Sequence, residues 1–112
     1  MKKQSLTDKC AVGSSIEIMG GKWKSIILFY LLEGPIRFNE LQRKVNGITQ
    51  RMLTKQLRDL EAYGLVHREA YPEVPPRVEY SLTATGMTLK PILQSLRQWG
   101  LEHAQDILQK NC

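Results

Sequence analysis

Residues 49–63 contain side chains whose types and spacing could do chemistry. Leucines recur there at helical intervals and would form one apolar stripe, made of Leu53, Leu57 and Leu60. The opposite side of the same helix would carry cations and a hydroxyl, from Arg51, Thr54, Lys55 and Arg58. Such groups neutralise phosphates and form hydrogen bonds with base edges. The pattern therefore favours a helix that lies in the major groove of double-stranded DNA.

The position of each side chain along this helix predicts its role. The N-terminal end of a recognition helix usually approaches the base edges. We therefore expect bases to be read by Gln50, Arg51 and Thr54. We expect phosphates to be contacted mainly by Lys55 and Arg58. The alternative is a solvated amphipathic helix with local ion pairs such as Lys55–Asp59.

The net charge of +5 is concentrated in one segment of the chain. Residues 36–58 hold six bases, among them Arg37, and a single acid, Glu40, while the rest of the sequence is balanced. A solvated helix face usually mixes the two signs, so this clustering indicates a polyanionic partner. Nucleic acid and an acidic membrane surface both fit the charge alone, and the order of the structural elements decides between them.

Turn residues and hydrophobic periodicity predict that order. Helices are expected at 15–19, 23–33, 39–45 and, with Thr49 as its N-cap, 49–63. Strands are expected at 36–38, 65–71 and 77–82, and a long C-terminal helix at 85–109. Three prolines at 72–76 make a stiff loop between the last two strands. This order predicts an α+β, mainly α, winged helix-turn-helix fold with N-terminal and long C-terminal dimerisation helices.

Arginines outside the fourth helix are also candidates for DNA contact. Arg37 lies in the cationic segment, and Arg77 lies at the base of the proline loop, where it could enter the minor groove or touch the backbone. The alternative for Arg77 is an ordinary solvent-exposed loop cation.

Several motifs, in order, resemble the HxlR-type family of bacterial winged-helix regulators. The resemblance runs from Cys10 to about Gly100 and rests on residues 20–23 (GGKW), 37–41 (RFNEL), 48–53 (ITQRML), 57–61 (LRDLE), 64–66 (GLV) and 74–83 (VPPRVEYSLT). It implies a DNA-binding homodimer, repressor or activator, joined through the N-terminal segment and the C-terminal helix. The chain would be one domain, 1–112, with a DNA-binding core at about 23–83 and dimerisation segments at about 5–20 and 84–110.

The C-terminal helix has more apolar surface than one edge of a small domain readily covers, so we expect a second subunit to cover it. The expected interface residues are Leu93, Leu96, Trp99 and His103. A twofold axis would place two recognition helices about 34–36 Å apart, one turn of DNA. The alternative is a helix packed wholly within its own subunit.

The cysteines, Cys10 and Cys112, lie near opposite ends of the chain. Cys10 occupies a position where the resembled family commonly has a cysteine, and in some members this residue is a redox or electrophile sensor. A thiol near a helix N-terminus and beside Lys9 is favoured for reaction. The family often has proline after this cysteine, whereas Ala11 follows here. A structural cysteine without a signalling role is the alternative, and Cys112 is expected to be a bystander.

Other functional classes fit the sequence less well. The longest apolar stretch, residues 26–32, is far below the about 20 residues of a membrane span, so we expect a cytoplasmic protein with no membrane partner. We expect no enzyme activity, cofactor or metal, because the sequence has no phosphate loop, metal cluster or nucleophile elbow. Two alternatives stay open. One is a winged-helix protein–protein interaction module, and the other is a regulator with an effector pocket near Met19, Tyr30 and Trp99.

Overall fold

The computed structural model describes residues 6–109 and has the predicted winged helix-turn-helix architecture. The helices are α1 (Asp8–Met19), α2 (Lys24–Tyr30), α3 (Phe38–Lys44), α4 (Gln50–Ala62), α5 (Ala84–Met87), α6 (Lys90–Trp99) and α7 (Gln105–Leu108). The strands are β1 (Ile36–Arg37), β2 (Val66–Tyr71) and β3 (Arg77–Leu82). Ser5 and Lys110, at the ends of the predicted dimerisation segments, and Cys112 lie outside the described residues. No helix among residues 6–109 is long and apolar enough to span a membrane.

The core lies between α2, α3 and α4 and the sheet. The predicted leucine stripe of α4 is confirmed, since Leu53, Leu57 and Leu60 are fully buried. They pack with α2 and α3 in one cluster that also contains Ile27, Leu28, Leu41 and Val45. Burial of this stripe fixes the rotation of α4 about its axis, and therefore which side chains of α4 face outward.

The ends of α4 follow from single residues. The Thr49 side chain accepts a hydrogen bond from the Met52 amide at 3.0 Å, as predicted for the N-cap. Gly64, just after the helix, has φ of 75°, a left-handed conformation that glycine adopts without a Cβ clash. The helix therefore begins and ends within one or two residues of the predicted bounds.

The first helix is longer than predicted. It begins at Asp8 rather than at residue 15, with Thr7 as N-cap accepting from the Cys10 amide at 3.2 Å. None of its residues is buried, and Val12 and Ile16 are each more than 60% exposed. The prediction was too short because a helix without a buried face leaves little hydrophobic periodicity to detect.

The predicted long C-terminal helix is confirmed over residues 84–108, where it consists of consecutive shorter segments. A single turn, α5, precedes α6, which has Pro91 in its first turn, where proline costs no hydrogen bond. A π-helical turn, Gly100–Ala104, then separates α6 from α7. Pro91 therefore lies at the start of α6 rather than at a bend within it.

Thr83 connects three parts of the fold at the start of α5. Its hydroxyl donates to the Gly64 carbonyl at 2.6 Å and accepts from the Gly86 amide at 3.0 Å. Its backbone amide donates to the Leu65 carbonyl at 3.0 Å. Gly86 packs so closely on the Leu65 carbonyl that a Cβ at this position would overlap it. The start of the C-terminal helices is thus tied to the end of α4.

The wing is the hairpin of β2 and β3, extended by β1 into an antiparallel sheet of order β1-β3-β2. The hairpin register pairs Val66 with Leu82 and Tyr71 with Arg77. On the other edge of β3, Arg37 lies opposite Glu79. The proline loop therefore projects beyond the last hairpin pair, next to α3 and the start of α4.

Candidate nucleic-acid interface

The outward side of α4 is an open, mainly cationic surface. We call it the recognition face and define it as Thr49, Gln50, Arg51, Thr54, Lys55 and Arg58. All of these residues are exposed except Thr54, which is half-buried. Together with Asp59 they line a shallow concavity of about 760 Å³. The arrangement follows from the buried leucines, because a helix that buries one stripe must present the opposite one.

The hydroxyls at the start of α4 already have partners inside the helix. Thr49 caps the first turn, and the Thr54 hydroxyl donates to the Gln50 carbonyl at 2.9 Å. A hydroxyl that donates its proton still has acceptor capacity on its oxygen. Thr54 is therefore suited to accept from a base amino group, whereas Gln50 and Arg51 can donate.

Asp59 places a carboxylate beside the cations of the recognition face. Its Oδ2 lies 3.1 Å from the Lys55 Nζ, so the local ion pair that the sequence suggested as an alternative is present. The same oxygen lies 3.1 Å from the Lys24 Nζ of α2. Hydrogen bonds from Lys24, the largest cause, and from Lys55 hold the pKa of the Asp59 carboxyl below its ordinary value. Sequence reasoning missed Lys24, because no local spacing relates it to α4.

A second concavity lies between α3, the start of α4 and the wing. This open groove has a volume of about 850 Å³ and is lined by Gln50 and Thr54 together with cations from four other elements. Those cations are Arg37, Arg43, Arg68 and Arg77. The structure thus brings Arg37 to the same groove as Gln50 and Thr54 of the recognition face. Arg43, although counted in the cationic segment, and Arg68 were not among the predicted site residues.

Arg77 is bound within the wing by acidic and aromatic neighbours. Its guanidinium forms ion pairs with Glu73 at 2.7 Å and Glu79 at 3.3 Å and lies over the Tyr71 ring. Only 26% of the side chain is exposed. The two carboxylates compete with a phosphate for this guanidinium, and the predicted DNA contact of Arg77 stays a prediction.

The C-terminal helices carry the predicted apolar stripe, with one correction. Leu96 and Trp99 are more than half exposed, and Trp99 stacks on His103 with ring centroids 5.1 Å apart. Leu93, by contrast, is 2% exposed and belongs to the core of its own subunit. The assignment of Leu93 to a subunit interface is therefore wrong. Exposed neighbours extend the apolar surface, including Ile92, Leu101, Ile107 and Leu108.

Cys10 is an exposed, free thiol in the first turn of α1. The Thr7 side chain caps this turn, so the cysteine is held on a regular helix rather than on a loop. It lies near the exposed apolar side chains of Val12 and Ile16 in sequence, on a helix without buried residues. An oxidant can therefore reach the sulfur in a single subunit.

Comparison with known proteins gives one family. The sequence profile described as HxlR-like helix-turn-helix matches residues 18–107. The HTH-type transcriptional regulator YybR of Bacillus subtilis (strain 168) is 52% identical over 100 residues, which cover 89% of this chain and 79% of YybR. The redox regulator HypR in its oxidised form is 52% identical with a TM-score of 0.80, covering 84% of this chain and 97% of HypR. Reduced YodB from B. subtilis is 30% identical with a TM-score of 0.74, covering 91% and 98%.

Proposed function

This chain belongs to the HxlR-like helix-turn-helix family of transcriptional regulators, and we propose that it binds double-stranded DNA sequence-specifically as a homodimer. Its relatives are named as regulators of transcription rather than as enzymes. We place its action in the cytoplasm, where bacterial regulators meet their operators. Whether it represses or activates depends on where its operator lies relative to a promoter.

One observation carries the proposal. The leucines of α4 are fully buried, while its N-terminal end and its cationic side are open and face away from the core. An α-helix fits the width of the major groove only if it projects from the protein surface in this way. We assign base reading to Gln50, Arg51 and Thr54, and phosphate contact to Lys55 and Arg58, with Arg37 on the flank.

A second copy of the chain is the partner that we propose for the C-terminal helices. The stripe of Leu96, Trp99 and His103 on the C-terminal helices is exposed, and α1 also carries exposed apolar side chains. We therefore propose that residues 84–109 and α1 form the dimer, and that the remainder of the single domain binds DNA. Closed twofold symmetry is the commonest way to cover such a surface.

We also propose that Cys10 makes DNA binding responsive to thiol oxidants. Two relatives support this. HypR is named a redox regulator and has been solved in oxidised and reduced forms, and YodB has been solved in a reduced form and after diamide treatment. Cys10 is exposed and lies on α1, within the proposed dimer segment. A modified sulfur there would alter the contact between subunits and hence the spacing of the two recognition faces.

Salt dependence tests the DNA-binding proposal against the alternative of a protein-interaction module. The equilibrium constant for a mixed-sequence 30-base-pair duplex would be measured at 50 and 200 mM salt. Four phosphate contacts would lower it by about 100-fold over this range, because each contact releases counterions. No binding at 50 mM, or a flat response, would favour the protein-interaction module.

A pair of arginine variants localises the contact. Arg58→Ala removes a cation from the recognition face, and Arg97→Ala removes the same group from the exposed side of α6. We expect Arg58→Ala to reduce the salt slope by about 1 and Arg97→Ala to leave it near the wild-type value. Equal slopes for the two variants would move the DNA contact away from α4.

A further inference from the structure

The carboxylate of Asp59 is shared by two lysines that differ in their surroundings. Lys55 belongs to the recognition face and its side chain is 65% exposed. Lys24 belongs to α2 and its side chain is 13% exposed. Both ammonium groups lie 3.1 Å from the same oxygen. Lys55 can therefore exchange the carboxylate for another anion, whereas Lys24 is held in place.

Lys24 is held by a second contact with α4, the helix that carries Asp59. Its Nζ donates to the Gln56 Oε1 at 2.7 Å, and the Gln56 amide in turn donates to the Met52 sulfur at 3.2 Å. A lysine with so little exposure has lost most of its hydration, and these hydrogen-bond partners take the place of water. The ammonium of Lys24 is thus a fixed positive charge behind α4, directed at Asp59.

We propose that Lys24 is a positioning residue for DNA binding, which neutralises Asp59 so that Lys55 is free to bind a phosphate. The inference rests on the proposed function, because it concerns how the recognition face meets DNA. A carboxylate on a DNA-facing helix repels phosphates, and like charges brought together at an interface are costly. Asp59 avoids this repulsion only while a cation stays with it.

The two lysines therefore divide the work. When Lys55 turns to a phosphate, Lys24 stays 3.1 Å from the Asp59 carboxylate and compensates its charge. Without Lys24, Lys55 would be the one of these two lysines still paired with Asp59. Release of Lys55 to a phosphate would then leave the Asp59 carboxylate uncompensated beside the DNA. The geometry makes Lys24 influence the phosphate contact from behind the helix, without touching DNA itself.

The test is a cycle of variants bound to a mixed-sequence 30-base-pair duplex. Lys24→Met keeps much of the side-chain volume, removes the charge, and should weaken binding by about two- to fivefold. Asp59→Asn should strengthen binding less in the wild type than in the Lys24→Met background, because Lys24 already compensates most of the carboxylate charge in the wild type. The double variant Lys24→Met/Asp59→Asn should recover at least the wild-type affinity. Lys90→Met, a loss of the same charge from the exposed start of α6, is the matched control and should have a smaller effect.

The recovery separates positioning from structural support. If Lys24 served only to brace α2 against α4, the double variant would bind as weakly as Lys24→Met or more weakly, and the proposal would be overturned. An equal gain from Asp59→Asn with and without Lys24 would overturn it as well. Absence of duplex binding by the wild type would instead contradict the proposed function itself.

A second measurement does not involve DNA. The Asp59 side chain can be followed by NMR through a pH titration of the wild type and of Lys24→Met. Because the hydrogen bond from Lys24 is the largest cause of the lowered pKa of Asp59, that pKa should rise in the variant. An unchanged pKa would mean that Lys24 does not hold the charge of Asp59, and would contradict the inference even in a chain that binds DNA.

Discussion

The guanidinium carbon of Arg77 lies 4.0 Å from the centroid of the Tyr71 ring, its cross-strand partner at the last pair of the wing. The same guanidinium bridges Glu73 of the loop and Glu79 of β3. We expect Arg77→Ala to lower the free energy of unfolding by about 1–2 kcal/mol, since it removes a cation–π contact and leaves carboxylates without their partner. Thermal or urea unfolding measures this loss.

Arg68→Ala is the matched control for the wing. Arg68 is exposed on β2 and lines the groove beside α4. Its loss should leave stability nearly unchanged and weaken binding to DNA of any sequence. If Arg77→Ala instead kept full stability and lost DNA affinity, Arg77 would contact DNA rather than stabilise the wing.

The two ends of the recognition face should differ in what they read. Arg51→Ala should cost about 1–3 kcal/mol of binding to the preferred sequence and relax the base preference. Lys55→Ala should weaken all sequences alike, because phosphates carry no sequence information directly. Selection of bound duplexes from a random pool, repeated for each variant, measures both effects. If both variants selected the same sequences as the wild type with the same affinity, α4 would not be the element that reads DNA.

Leu93 and Leu96 lie less than one helical turn apart, but their truncation should affect different properties of the protein. Leu93→Ala removes a buried side chain and should destabilise the fold by about 2–5 kcal/mol. Leu96 is 53% exposed, so Leu96→Ala should cost little stability and should weaken self-association. Unfolding curves and sedimentation velocity over a concentration series distinguish the two losses. Unaltered sedimentation of Leu96→Ala would move the dimer contact to another surface.

Oxidation should act through Cys10. Duplex binding would be measured before and after diamide treatment of the wild type and of Cys10→Ser. We expect diamide to change the affinity of the wild type and to leave Cys10→Ser unaffected. Cys112→Ser, which alters the other thiol of the sequence, is the control and should respond like the wild type. An equal response in wild type and Cys10→Ser would exclude Cys10 as the sensor.

Local signals in the sequence predicted much of the recognition helix. Leu53, Leu57 and Leu60 have helical spacing. The hydroxyl of Thr49 suits the start of the helix, and Gly64, which has no side chain, suits its end. Each of these signals depends on neighbours within a few positions, so the phase of the helix and its exposed face could be predicted together.

Features that depend on packing between distant residues could not be predicted. Periodicity places Leu93 and Leu96 on one broad side of a helix but does not say which of them faces its own subunit. The partner of Asp59 on α2 is 35 positions away. The carboxylates that pair with Arg77 are near it in sequence, but their placement depends on the geometry of the hairpin and its loop. Helix α1 was underestimated for the opposite reason, because it makes too little packing to impose a pattern.

The hydrogen bonds of Thr83 make the recognition helix and the C-terminal helices mechanically dependent on each other. Its hydroxyl and amide join the residues that end α4 to the first turn of α5, and the close packing of Gly86 leaves no slack between them. A tilt of the C-terminal arm must therefore carry the far end of α4 with it or break these bonds. A change in the angle of the C-terminal helices would in this way be passed on to the orientation of α4.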